Sequence, residues 1–384
     1  MSVSVDNRRT RSRTALAAVL TVLILVPAGI LFSQTWSNVS DERDSTKLEQ
    51  KGVEYVTALS PLISALAEAQ SAALSGVSSV PGSLTAAVAG VAAVDQRLGG
   101  DLDTRDRWAG LNQKIGQLQK ATGSPVEIFQ AHVEVTDLAL ALYEAVRDNS
   151  ELVRDPDNDL SHLQQALAVD LPATVVQVSR MGDLSQLVAK ANATLQAQLG
   201  PQFGAAVLTV NTSVNSLTDN LQAAVDDTNS TTLSGNLVSG LDSFRRGVES
   251  LTRGANPGGT PNPATMATAQ SQLQVSLANL SGITGREMTR LLEDRLDRLD
   301  NEALLALVSA GVAVLLALAA LVILLTGGRR RGYAGASTQP PGETTRDMTV
   351  GPHGSDYGQS DPGHRAPAYG EANPTRRERS GALR

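Results

Sequence analysis

Residues 288–326 read MTRLLEDRLDRLDNEALLALVSAGVAVLLALAALVILLT. The first part is amphipathic. Met288, Leu291, Leu292, Leu296 and Leu299 fall at helical spacing and form one apolar stripe, with charged residues around the other face. Arg290 and Asp294, and Asp294 and Arg298, are four residues apart, where opposite charges support a helix weakly. No turn signal separates Leu299 from Leu304, so one helix is expected to run into the apolar stretch Ala303–Thr326. That stretch carries no charge. Crossing the hydrocarbon core as a helix takes about 20 apolar residues, so it reads as a membrane span. Arg329, Arg330 and Arg331 follow it.

A second apolar run lies near the start, from Thr14 to Ser33, preceded by Arg8, Arg9, Arg11 and Arg13. A secretory signal peptide shares this arrangement of charge and apolar length. The run is long for one, and no small-x-small cleavage pattern stands out around Phe32–Trp36. It therefore reads as an uncleaved anchor. Pro27 and Gly29 are tolerable in a membrane helix, and Trp36 suits the interface. Basic flanks belong on the cytoplasmic side, so both chain ends are expected inside. The expected organisation is a basic cytoplasmic N-terminus over 1–13, a first span over 14–33, an outer region over 34–302, a second span over 303–326 and a cytoplasmic tail over 327–384. The tail is rich in Gly, Pro, Ser, Arg and Asp and poor in aliphatic residues, a composition that predicts disorder.

Between the spans the chain reads as all-α. The 384 residues include no cysteine and only 3% aromatics. That excludes a disulfide framework and a cysteine zinc site, and it disfavours a β-sandwich. A net charge of -7 argues against a nucleic-acid partner. Trp108, Leu111, Ile115 and Leu118 make one helical stripe, and Leu163, Leu167, Leu171, Val175 and Val178 another. Breaks are expected at Val80-Pro81-Gly82, Gly99-Gly100, Thr122-Gly123-Ser124-Pro125, Gly200-Pro201 and Gly254–Pro263. The outer region would then be one extended helical bundle or two stacked ones.

Residues 145–172 read AVRDNSELVRDPDNDLSHLQQALAVDLP. This segment resembles the extracytoplasmic sensory region of bacterial methyl-accepting chemotaxis proteins and sensor histidine kinases. The positions that carry the likeness are Val146, Asp148, Ser150, Leu152, Asp155, Pro156, Asp157, Asp159, Leu163, Leu171 and Pro172. Looser likeness extends over 40–325, through Glu49–Tyr55, Trp108–Leu118 and Glu293–Leu304. The resemblance implies a helical ligand-binding domain between two spans of a bacterial plasma membrane, working as a homodimer. It departs after the second span. There the family continues into a linker and an output module, whereas Gly327-Gly328-Arg329 leads into the polar tail. Ser161-His162-Leu163 also stands where many members carry Tyr-Tyr-Leu.

Asp155-Pro156-Asp157-Asn158-Asp159 looks at first like the start of a calcium loop. Leu160 and Ala166 occupy the positions that require Gly and Glu, so the match fails. The plainer expectation is a helix break with carboxylates at the next helix's first turn. Asp155, Asp157, Asp159, Trp108, Arg147 and Arg154 are the candidate ligand contacts, with arginines such as Arg105, Arg107 and Arg180 also able to receive an anion. Trp108 reads first as a core anchor, and His132 and His162 as packed or solvated side chains. No catalytic grouping, cofactor motif or metal motif is present in the sequence. The expected role is a membrane-anchored sensor-like protein that binds a small molecule or a protein and signals through a separate partner. The alternative is an envelope scaffold or spacer.

Overall fold

The computed structural model describes residues 6–327, apart from 78, 119, 121, 154, 156, 229 and 257–260; at 6–18, 20, 24, 231 and 324–327 it describes the backbone alone. The described residues are all-helical and contain no strand. The helices are α1 (Asp6–Leu74), α2 (Gly82–Leu98), α3 (Arg105–Leu118), α4 (Pro125–Asn149), α5 (Asn158–Gln165), α6 (Leu171–Lys190), α7 (Ala193–Asp227), α8 (Thr231–Ala255) and α9 (Pro263–Gly327). The N-terminal residues 1–5, most of the tail and Arg154 lie outside the described residues.

Both α1 and α9 contain a stretch long and apolar enough to cross a membrane. In α9, Leu305, Leu315, Leu316 and Ile323 are all more than 60% exposed, which an aqueous surface would not favour. The expected continuity across Leu299–Leu304 holds, since α9 runs unbroken through it. The other half of each helix packs. Ser281 Oγ on α9 donates to Ser60 Oγ on α1 at 2.8 Å, and Arg43 pairs with Asp300 at 3.1 Å. As residue numbers rise on α1 they fall on α9, so the two run antiparallel.

The remaining helices alternate in direction around this pair. The turn residues 99–104, 150–153 and 228 fall at the end nearer the apolar segments, and 75–77, 122–124 and 261–262 fall at the far end. The buried hydrophobic side chains form one contiguous cluster. α1 touches α2, α4, α6 and α9, while α6 touches α1, α4, α7 and α9. The sequence of α1 explains its central place. Val53, Val56 and Ile63 lie on one buried stripe and Tyr55, Leu59, Leu62 and Leu66 on a second. Two stripes bury one helix against neighbours on two sides.

Both aliphatic stripes read from the sequence are in the core: Trp108, Leu111 and Ile115 are buried, as are Leu163, Leu167, Leu171, Val175 and Val178. One break differs from expectation. Gly200-Pro201 does not end a helix; Pro201 lies inside α7, and the chain turns instead at Ala191-Asn192, where the Asn192 side chain accepts from Leu195 N–H. A polar cap satisfies free N–H groups at that position, which a proline two turns later does not. At Leu171-Pro172 the backbone departs from a plain α-helix. The helix does not stop but widens into a π-turn over Ala166–Asp170, with Leu171 N–H donating to the Ala166 carbonyl. Pro172 has no N–H, and its ring crowds the carbonyl four residues back, so a wider turn accommodates it.

Gly240, Gly247 and Gly254 recur every seven residues along α8 and face Leu280, Leu273 and Met266 of α9. A β-carbon on Gly247 would stand 3.3 Å from the Leu273 α-carbon, so these glycines set how closely the two helices approach. Gly235 on the same helix has open space. Gly247→Leu is expected to lower stability by about 1–3 kcal/mol through overpacking, while Gly235→Ala is expected to leave it unchanged or raise it by up to about 1 kcal/mol. Thermal unfolding of the two full-length variants checks this. Equal effects would contradict the close seam.

Candidate functional site

Asp155 and Asp157 lie between α4 and α5, against Arg295 of α9. The chain reaches them through a tight turn in which Glu151 adopts a positive φ of 61°. Gly52 on α1 lets Ser150 and Leu152 come close; any side chain there would collide with both. Asn149 fixes the turn from the other side by donating Nδ2–H to the Leu102 carbonyl at 2.8 Å.

From this turn Asp155 points inward, and its side chain is fully buried. Arg295 of α9 meets it with two parallel hydrogen bonds, Nη1 to Oδ2 at 2.9 Å and Nη2 to Oδ1 at 2.6 Å. Nη2 also donates to Asp157 Oδ2 at 3.0 Å. Glu49 of α1 stands 3.6 Å from Nη1, and Gln164 of α5 donates to Asp155 from 3.4 Å. Asp155 Oδ1 also accepts from Asp157 N–H at 2.8 Å, which closes the loop on itself. A bidentate arginine–carboxylate pair fixes orientation as well as charge.

Three carboxylates thus surround one guanidinium. Burial pushes the Glu49 carboxyl up to about 8, with the neighbouring Asp155 charge adding to the effect and Arg295 opposing it. Burial by itself would lower the Arg295 pKa, but the hydrogen bonds and charges of the carboxylates outweigh it and raise the pKa further. Near neutral pH Glu49 therefore holds its proton.

The sequence candidates fall into separate places. Asp155 and Asp157 share the buried cluster. Asp159 caps locally, with Oδ1 accepting from Leu160 N–H and Oδ2 from Thr228 Oγ1 at 2.9 Å. Asp157 is the N-cap residue of α5 but makes no side-chain cap bond; its carboxylate goes to Arg295 instead. Trp108 is buried in the core formed with α2 and α4. Arg147 pairs with its neighbour Asp148 at 2.8 Å, and Arg180 with Asp137 and Thr136. Arg154 lies outside the described residues. Among the described residues, Arg147 and Arg180 pair with other carboxylates, Asp148 and Asp137. Glu49, Gln164 and Arg295 belong to the site and were not singled out from sequence.

Beside the cluster lies an open polar cleft of about 880 Å³. Asp157, Asp159, Asp227 and Asp294 line it along with Arg290 and Arg298, so its charge balance is acidic. Among the described residues no group of His, Asp and Glu is placed to hold a metal ion. A second buried carboxylate, Asp183 of α6, sits in the far half of the domain. It accepts from Gln70 Nε2 at 2.7 Å, Ser71 Oγ at 2.8 Å and Ser179 Oγ at 3.3 Å. Burial pushes its carboxyl up to about 6 against these donors.

No family model, curated protein or solved structure matches this chain.

Two outcomes follow from the cluster. Arg295→Met leaves Asp155 buried without its cation and is expected to destabilise the domain by about 3–5 kcal/mol. The second concerns pH. Glu49 and Asp183 bind protons more tightly when folded than their ordinary values of 4.5 and 3.8 allow. The folded state then holds protons that the unfolded state has released, so stability falls as pH rises. For Asp183 the fall spans roughly pH 4 to 6, and for Glu49 it continues to about pH 8. Unfolding midpoints measured from pH 5 to 9 should decline, and Glu49→Gln should flatten the decline above pH 6.

Proposed function

We propose that this protein is a membrane-anchored sensor-like protein, with residues 34–302 outside the cytoplasm of a bacterial plasma membrane and both ends inside. The outer helical domain binds a small molecule or a protein, and a separate signalling partner reads the result. The observation that carries this reading is the buried Glu49–Asp155–Arg295 cluster. It clamps one loop of the domain to α1 and α9, the two helices that continue into the apolar segments. A change in the domain that moves this loop moves both helices together. Allosteric transitions include helix shifts of about 1–2 Å.

The acidic cleft beside the clamp is accessible and shares Asp157 with it, so occupancy there reaches the cluster directly. The arginine-rich N-terminal flank and Arg329–Arg331 support the orientation, because basic flanks stay on the cytoplasmic side.

The chain lacks native cysteine, so single introduced cysteines report cleanly. Spin labels at the exposed positions Lys47 and Asp297 would be placed in the full chain in lipid nanodiscs. The sample would then be titrated with amino acids, organic acids, inorganic anions and polyamines. A saturable change in the label distance, absent in Arg295→Met, is the expected result. A folded domain whose distance stays fixed across this panel and across partners recovered by cross-linking would favour an envelope spacer instead.

A further inference from the structure

At the far end of the domain, α1, α2, α3 and α4 line a half-open cavity of about 310 Å³. Its walls include Ala69, Ala73, Leu84, Ile115, Leu118 and Ile128, and no Asp, Glu, Lys or Arg is among its described lining residues. One ring stands out against this surface. His132 of α4 lines the cavity and is only 4% exposed. Its Nδ1 is enclosed and has no hydrogen-bond partner. Burial pushes the imidazole down to about 4, so at neutral pH it is uncharged and carries one N–H donor and one acceptor.

The cavity places His132 on a wall that is otherwise mainly apolar. Its size falls at the lower end of the range for small-molecule sites, about 300–1,000 Å³. We propose that this cavity is a binding site for a small, uncharged, largely apolar molecule with a single hydrogen-bonding group, which His132 meets. A charged ligand finds no counter-charge on these walls, and desolvating it would cost far more than one hydrogen bond returns. The lining residues Ala69 and Ala73 belong to α1, the helix whose other end enters the clamp and the first apolar segment. The site's use in signalling rests on the sensor reading; its existence does not.

The test uses the full chain in lipid nanodiscs with ¹⁵N-labelled histidine. Three probes separate the contributions. Indole has an apolar ring and one N–H, indene has the same shape without it, and indole-2-carboxylate adds a charge. Indole is expected to bind saturably and to shift the His132 ring nitrogens. It should bind about fivefold more tightly than indene, the ratio expected for one hydrogen bond, and the carboxylate should not bind. His132→Phe removes a polar atom from an apolar site, so it should keep the fold and erase the difference between indole and indene. Ala73→Phe should fill the cavity and abolish binding of both.

Failure of indole to shift His132 up to its solubility limit would overturn the proposal, as would equal binding of indole and indene. Retained binding in Ala73→Phe would do the same. An unaltered, water-bonded His132 signal would assign the cavity to ordered water. The Lys47–Asp297 distance, read in the same sample, separates the two proposals. Binding without movement overturns signalling and leaves the site, whereas movement without a His132 shift overturns this site alone.

Discussion

A guanidinium without water must be surrounded by oxygen atoms, and Arg295 gathers them from two other parts of the chain. Asp155 and Asp157 come from the α4–α5 loop and Glu49 from α1, so with α9, which carries Arg295, three parts of the chain meet. The cost of desolvating such a pair is repaid only in good geometry. The two-bond arrangement with Asp155 meets that condition, and it dictates much nearby. Gly52 must be small so that the loop can approach, α4 must end at Asn149, and α9 must present residue 295 inward. Apolar residues at these positions could hold three helices together equally well. What they would not supply is a fixed register among them.

The cluster lies a short distance from the start of the apolar segment of α9. Eight residues separate Arg295 from Ala303, about 12 Å at the rise of an α-helix. Forces at the clamp therefore reach the segment through two turns of continuous helix. The α8–α9 seam, with its heptad of glycines, stiffens the same helix from its other side.

Much of the fold was legible because it follows from periodicity. The stripes at Trp108–Ile115 and Leu163–Val178 bury as their spacing requires, and α9 continues through Leu299 because nothing there can stop a helix. The site was half legible. Asp155 and Asp157 stood out through their neighbours, but their partner did not, since charged residues on an amphipathic helix are ordinarily assigned to solvent. The signal was present in finer spacing. Met288, Leu292, Arg295 and Leu299 follow the alternating four–three–four step of a packed seam, and Thr46, Glu49, Val53 and Val56 its three–four–three counterpart. In each run one charged residue stands where an apolar one belongs. Gly200-Pro201 misled for the opposite reason: two residues that break helices locally were overruled by packing of Leu199, Phe203 and Val210 on both sides. The His132 cavity had no signal at all, because a void depends on what four helices fail to fill.

The order in which the ribosome makes the chain gives the cluster a further meaning. Asp155 and Arg295 are 140 residues apart. While the chain is being made, Glu49 and Asp155 have emerged long before any guanidinium is there to meet them. The first helices can assemble their aliphatic core, but the loop between α4 and α5 has nothing to close on. Only when α9 emerges, immediately ahead of the last apolar segment, does the base of the domain lock. Completion of the fold is thereby tied to arrival of the second apolar segment, and a chain cut short before it would leave two acids exposed in an open base.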